Sequence, residues 1–557
     1  MEQQTAVKNK LPRWLPWAIG YVAVLAAAGM LAYYWRIAFY LTQLPMLPFA
    51  GGLALVASVL YLAFFLISRF VKTISAKAAL CVFALGLIFV FATAPLQVPD
   101  EGLHFLRAYS ISQGHFNYDA SRTYPQDVTL LVQEFPANMN HELRYGGEET
   151  ELTPAHIASY QQKVESETQV TPYSEKDVIH FLLFPFLPQA ALMAIARGLG
   201  FSALGILYAG RIANLALYAF ISYITFKNCS KYRGVFIALA LLPISLYMAA
   251  SCSYDATMLA LCFLALSYFC KAEIYTRDVV LFGVAVVLAT YLKQNNIVLA
   301  ASLLLVPKAR WRTKWNPWLC TAGIAAAALL IWFVGSNYID AGFLRVGYNP
   351  AEFPRGNGDA DPKAQLLGII KNPFAFLSRV VLTLYQEDGF LFKTGTFGWM
   401  DLSIPLISGL GLLSMGSASA LGIQQKDDTR AGGAVGLGLM ALLYGGAVMA
   451  GIYVMQVGVG GMMVTHLQPR YFLPAFLLLF MLGSILLGKA VRPRLADNKG
   501  GSMVRTESIT LWIAAGVALV AVVCIFQSYF VGQWFPTLEG SHKLVNMLGW
   551  VNLIPAC

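Results

Sequence analysis

Again and again this chain offers runs of apolar side chains wide enough to fill a bilayer, and that repetition restricts it to one class of fold. A helix needs about 20 apolar residues to cross a hydrocarbon layer about 30 Å thick, and fewer where neighbouring protein shields it. Runs of this kind lie near 15–34, 49–68, 78–96, 204–226, 234–250, 255–270, 278–292, 295–307, 317–335, 402–422, 433–455, 468–488 and 507–530. Charged residues make up only 12% of the 557, well below the roughly one quarter usual in a soluble domain. The reading is an all-α polytopic membrane protein, a bundle of about 13 transmembrane helices with two large extracytoplasmic loops. The first run follows Lys8, Lys10 and Arg13. It is longer than the core of a cleaved signal and has no clear cleavage site, so it reads as a retained span.

The distribution of charge orients the bundle. Short loops carrying Lys and Arg stay on the cytoplasmic side. Alternate short loops here hold more than half of the 39 basic residues, among them Arg69, Lys72, Lys77, Lys227, Lys231, Arg233, Lys308, Arg310, Arg312 and Lys314. The intervening short loops 35–48, 251–254 and 456–467 hold only Arg36. The N-terminus is therefore expected inside and the C-terminus outside. The net charge of +10 is mostly inner-loop charge, and no nucleic-acid partner is expected from it. The segment His180 to Gly200 carries Pro185, Pro188 and Arg197; counting it as a span would invert the loops that follow, so it is expected in the outer interface. The outer loops are about 97–203 and 336–401. The second contains a turn-rich run, Tyr348 to Pro362, and ends in Gly395-Thr396-Phe397-Gly398-Trp399-Met400-Asp401. The eight cysteines are scattered without a CxxC pair, and no two of the seven histidines have zinc spacing.

Within this plan one stretch stands out, Val98 to Tyr109, where Asp100, Glu101, His104 and Arg107 gather as the chain leaves the third run. If Pro99 takes the first helical position, Asp100, His104 and Arg107 share a face at i, i+4 and i+7. Acids at a helix start also favour the helix dipole without any chemistry. Charge inside spans is costly and points to function, yet the middles of nearly all runs here are free of it. The exceptions lie at the outer boundary: Arg211, Asp255, Lys293 at the tip of the 278–307 hairpin, and Arg470 beside Tyr471. Snorkelling or helix-end pairing accounts for any one of them; for the set, a shared site is the simpler account. Arg and Lys there would neutralise a phosphate, and a carboxylate could take a hydroxyl proton as general base. The reading requires these distant residues to converge.

Asp100-Glu101-x-x-His104-Phe105-x-x-Ala108 and Gly114-x-Phe116 resemble the first outer loop of the GT-C membrane glycosyltransferases, among them protein O-mannosyltransferases and aminoarabinose transferases. Pro99-Asp100-Glu101-x-x-His104, Ser253-x-Asp255-Ala256, Lys293 and Pro469-Arg470-Tyr471-x-x-Pro474 look more closely like a bacterial polytopic family, a domain of unknown function placed near that superfamily. Pro469 stands where that family usually has glycine. The resemblance implies a polyprenyl-phosphate-linked sugar as donor, membrane lipid around it, and a glycan or lipid acceptor. It implies no cofactor, with a divalent metal not expected, and a place in a bacterial cytoplasmic membrane. It makes Asp100 the first choice of catalytic base and Glu101 the second. His104, Arg107, Arg211, Asp255, Lys293, Arg470 and Tyr471 would bind substrate. Residues 1–77 read as an N-terminal addition of two spans, 78–475 as the core, and 476–557 as closing spans and an outer tail. Two other classes stay open, a lipid-linked glycan flippase and a non-catalytic scaffold of a polysaccharide assembly machine. A transporter would show internal repeats and midplane charge, and the sequence shows no clear repeat.

Overall fold

A computed structural model of the chain describes residues 15–38, 46–117, 119, 122–135, 167–168, 183–335, 360–386, 393–422, 431–465, 467–495 and 503–531. The turn-rich run 348–359, His466, the tail beyond 531 and much of the first outer loop lie outside the described residues. The chain divides into two compact units, one comprising residues up to Lys77 together with those from Val531 on, and one from Ala78 to Phe530. The first holds α1 (Leu15–Ala38) and α2 (Met46–Phe70), which pack on each other through Trp17 against Tyr61 and Phe65.

The second unit begins with α3 (Ile74–Ala92), α4 (Glu101–Ser112) and α5 (Gln126–Glu134). It continues through α6 (Leu187–Gly198), α7 (Ala203–Asn228), α8 (Arg233–Ala240), α9 (Pro243–Ala249), α10 (Asp255–Phe269) and α11 (Thr276–Leu292). A 3-10 helix, Gln294–Leu305, leads to α12 (Pro317–Val334), and then come α13 (Pro362–Lys371) and α14 (Pro373–Gln386). The last helices are α15 (Pro405–Leu421), α16 (Ala431–Gln456), α17 (Leu473–Leu495) and α18 (Met503–Phe526). Two short antiparallel pairs complete the described elements: β1 (Tyr124–Pro125) with β2 (Glu167–Thr168), and β3 (Thr396–Phe397) with β4 (Leu402–Ser403).

Among the described residues, eight helices are long and apolar enough to cross a membrane: α1, α2, α3, α7, α12, α16, α17 and α18. Each matches an expected run. The other five expected runs are shorter or broken. Pro243 ends the run 234–250 as one helix and opens a second, because its ring cannot continue the hydrogen-bond ladder. The resulting pair, α8 and α9, is buried along its whole length apart from Arg233. It forms the centre of the unit, with α10 against α9 and α18 against α8. The run 295–307 is a twelve-residue 3-10 helix, an uncommon length for that geometry. It packs on α11 and α16. From Leu183 on, the segment after His180 forms a short 3-10 turn, Phe184–Phe186, and the twelve-residue α6, too short to span and seated on α4 and α7. The expected loop 336–401 is not loop throughout, since α13 and α14 lie in it, bent by 106° at Asn372-Pro373.

Polar residues collect at the two ends of this unit. At one end Arg233 donates to the carbonyls of Phe226 and Cys229 and pairs with Glu507 at 3.0 Å. Arg310 there donates to the Phe269 carbonyl at the end of α10, and Lys271 pairs with Asp278. At the other end lie the start of α4, the start of α10 and the end of α11. The hairpin β3–β4, whose first strand is buried, closes on the core through Phe397, edge-on to Tyr247 at 5.1 Å. Gly395 enters this hairpin where a Cβ would stand 2.6 Å from both the Ile404 oxygen and the Ser408 nitrogen. Neither is a movable side chain. Gly395→Ala is expected to cost about 1–3 kcal/mol by overpacking, read as a lowered thermal transition. Gly416→Ala in α15, where a Cβ meets nothing within 4 Å, should leave the transition in place.

Candidate functional site

The site is built on the guanidinium of Arg211, two turns into α7. All five of its N–H donors find acceptors. Nε and Nη2 donate to the two carboxylate oxygens of Glu101 at 2.8 and 2.7 Å. Nη1 donates to the carbonyls of Val90 and Thr93, and Nη2 also to Ala94, each at 2.9 Å. One side chain thus satisfies carbonyls left over at the C-terminus of α3, a position that favours a cation, and ties them to the first residue of α4. Glu101 also accepts from the Cys252 N–H at 3.1 Å. Both Arg211 and Glu101 are fully buried. Neither is placed to meet a substrate: Glu101, the second choice of base, and Arg211, expected among the binding residues, hold each other and the chain around them.

What they hold is a strained turn. Leu96 and Asp100 both have positive φ, 60° and 62°, a conformation that costs a non-glycine residue about 1–3 kcal/mol. Pro99 does not open the helix as expected. It occupies the second position of a turn closed by Glu101 N–H to the Val98 carbonyl at 2.9 Å. Asp100, with φ 62° and ψ 7°, takes the third position of a type II turn. Tyr247 secures the same segment, its hydroxyl donating to the Gln97 carbonyl at 3.2 Å and accepting from Gly398 N–H of the β3–β4 hairpin. Asp100 is consequently presented outside α4, and its carboxylate caps no helix N–H. Burial raises its pKa, while Arg470 and Lys293 nearby act to lower it and Asp255 to raise it.

A second constellation faces Asp100. Asp255, the first residue of α10, accepts Lys293 Nζ on Oδ1 at 2.8 Å and Arg470 Nε on Oδ2 at 3.0 Å. Its own N–H donates to Ser253 Oγ. Asn214 in α7 fixes the preceding loop by donating to the carbonyls of Ser251 and Ser253 at 2.7 and 2.9 Å. Lys293 stands just past the end of α11, its ammonium 4.2 Å from the ring centre of Tyr471, and Arg470 lies 5.0 Å from the same ring. Pro469 begins a 3-10 turn, Pro469–Phe472, that sets Arg470 and Tyr471 in place; a fixed φ suits that first position. Lys293 remains a quarter exposed, whereas Arg470 and Asp255 are buried. Met248, Met258 and Leu259 complete a small cavity with Asp255, Arg470 and Tyr471.

His104 packs between Phe186 and Tyr254, at 5.6 and 5.0 Å between ring centres. Burial lowers its pKa to about 3, with Asp255, Arg470 and Lys293 as its charged neighbours. Arg107, one turn further along α4, is engaged away from the site. It is fully buried and donates to the Phe116 carbonyl beyond the end of α4. The expected i, i+4, i+7 face does not form, because the helix starts after Asp100; Asp100 meets the site from the turn, and His104 from the helix. Sequence reasoning passed over Asn214, Tyr247 and Tyr254. Asn214 carried a signal, an amide one turn beyond Arg211 in an apolar run.

A family model described as a predicted membrane protein (DUF2142) matches residues 83–479, from α3 into α17. The chain belongs to the DUF2142 family. That stretch contains Asp100, Glu101, Arg211, Asp255, Lys293 and Arg470, so the whole site of this DUF2142 protein lies inside the family region. No curated protein and no solved structure matches the chain.

Two outcomes follow from this geometry. Glu101→Ala leaves the Arg211 cation buried without its counter-charge and is expected to destabilise the protein by about 3–5 kcal/mol, whereas Asp100→Asn, which removes a buried charge, should not lower the thermal transition. His104 stays neutral in the folded protein down to about pH 3, while the unfolded chain takes up its proton near 6.5. The unfolded state then binds more protons between those values, and stability falls as pH drops through that window. His104→Gln should flatten the slope in thermal unfolding. Asp100, with its raised pKa, acts in the opposite sense as pH rises above 3.8, so the comparison is made in the Asp100→Asn background.

Proposed function

We propose that this protein is an inverting glycosyltransferase of a bacterial cytoplasmic membrane. It moves a sugar from a polyprenyl-phosphate-linked donor to a glycan or lipid acceptor on the extracytoplasmic side. One observation carries the reading: Lys293 and Arg470 share the Asp255 carboxylate, and a second carboxylate, Asp100, stands in their field without a helix-capping bond. The expected orientation, N-terminus inside, puts this end of the bundle at the outer face.

In this scheme the acceptor hydroxyl gives its proton to an Asp100 oxygen as its own oxygen attacks the anomeric carbon. The bond from that carbon to the phosphate oxygen breaks on the opposite side of the sugar. The electron pair leaves with the lipid phosphate, whose charge Lys293 and Arg470 offset. Lys293 and Arg470 balance Asp255 and the ionised Asp100, and once Asp100 has taken the proton one positive charge is left to offset the departing phosphate. Burial strengthens Asp100 as a base by raising its pKa, and a positioned base contributes about 10²–10⁴ in rate. Asp255 is a positioning residue, which holds both cations at one spacing. Tyr471 and His104 wall the site, and the polyprenyl tail lies in the bilayer. No metal or cofactor enters the scheme.

Purified protein should transfer sugar from a polyprenyl-phosphate donor, and Asp100→Asn should lower turnover at least 100-fold, on the scale of general-base catalysis, with its fold intact. Arg470→Ala should weaken donor binding. Turnover kept by Asp100→Asn removes the base. Lipid movement between leaflets without glycosidic product would replace the transferase with a flippase, and neither activity would leave a scaffold.

A further inference from the structure

The bent pair α13–α14 has a use outside the site. Each helix carries exposed apolar residues at three- or four-residue spacing, Leu366 and Ile370 in α13 and Phe374, Leu377, Val381 and Tyr385 in α14. These side chains are exposed, Phe374 by 81% and Ile370 by 67%, far more apolar surface than a water-facing helix pair carries. The opposite face is bound down. Gln365 donates to the carbonyls of Val457 and Gly458 at 3.0 and 2.9 Å, and Thr383 Oγ1 accepts Val464 N–H at 2.9 Å. Phe376 packs on Tyr453 with ring centres 5.4 Å apart. Both helices are thus seated at the end of α16, on the turn that leads into Arg470.

Neither helix crosses a bilayer. At about 1.5 Å per residue they measure about 15 and 21 Å, short of a hydrocarbon layer of about 30 Å, and the 106° bend prevents their adding into one span. From Pro362 to Gln386 there is no acidic residue, while Lys363 and Lys371 are exposed and Arg379 lies over Tyr453 at 5.6 Å. An apolar stripe on helices whose only charged side chains are cations, next to the Asp361 cap and fixed at the level where a spanning helix ends, matches a helix lying in a leaflet.

We infer that α13–α14 lies in the headgroup region of the leaflet at the site end of the bundle, its apolar stripe among acyl chains and its cations on anionic lipid headgroups. The occupant of this face is lipid, because the apolar surface continues the lipid-facing side of α16, where Leu442 and Leu443 are also exposed, and because the charge complements phosphate headgroups. This inference is independent of the transferase reading and stands or falls without it.

The test uses the full chain in nanodiscs of phosphatidylcholine with a minor share of phosphatidylglycerol. Photoreactive benzoyl-phenylalanine is placed singly at Ile370, Phe374 and Val381, and adducts are read by mass spectrometry. Lipid adducts at all three positions are expected. Adducts to this chain or to a second copy, or none, would overturn the inference. In native mass spectrometry the triple change Lys363→Gln, Lys371→Gln and Arg379→Gln should lower retained phosphatidylglycerol by about tenfold. Unchanged retention, in a variant that keeps the wild-type thermal transition, would reject the headgroup contact.

Discussion

A single buried guanidinium organises the functional end of this protein. Arg211 gathers the end of α3, the start of α4 and, through Glu101, the loop before α10. Taking two charges out of water is expensive, and the pair stands because every N–H is used and the carboxylate accepts a further backbone bond. Such a pair contributes little net stability over an apolar substitute. Its effect is to exclude other arrangements: with either partner absent, the remaining charge has no tolerable environment, so the three segments have one way to meet.

That rigidity lets the turn 96–100 keep two unfavourable backbone conformations. Held between Arg211 below and Tyr247 behind, the turn turns the carboxylate away from the helix and toward Lys293 and Arg470. The two acids of the Asp-Glu pair thus separate into distinct tasks: one is neutralised and structural, the other held in the field of two cations that a third acid aligns. Adjacent residues come to have unlike environments because the helix boundary falls between them.

Much of this was legible in the sequence, and the parts that were not share a cause. Apolar runs marked α1, α2, α3, α7, α12, α16, α17 and α18 because crossing a membrane requires an unbroken length of hydrophobic residues. Charged residues at the run ends marked Asp100, Asp255, Lys293 and Arg470, since such placement is costly and hence sparse. What composition does not record is backbone geometry: whether Pro99 starts a helix or a turn, whether Pro243 breaks a run in two, or whether 294–305 winds as 3-10. Nor does charge alone say who pairs with whom. Arg211 and Glu101, 110 positions apart, looked like site residues until their mutual contact was seen. The pair α13–α14 was hidden among turn-forming neighbours, and its exposed side is defined only once the side packed on α16 is known.

The 3-10 winding of Gln294–Leu305 carries a geometric consequence. Twelve residues advance about 24 Å at 2.0 Å each in this form but only about 18 Å as an α-helix. The difference, about 6 Å, equals the rise of four further α-helical residues. A narrower coil therefore takes the place of a missing turn, letting a segment too short for the distance connect Lys293 at one end of the bundle with the Arg310 cap at the other. Pitch, here, substitutes for sequence length.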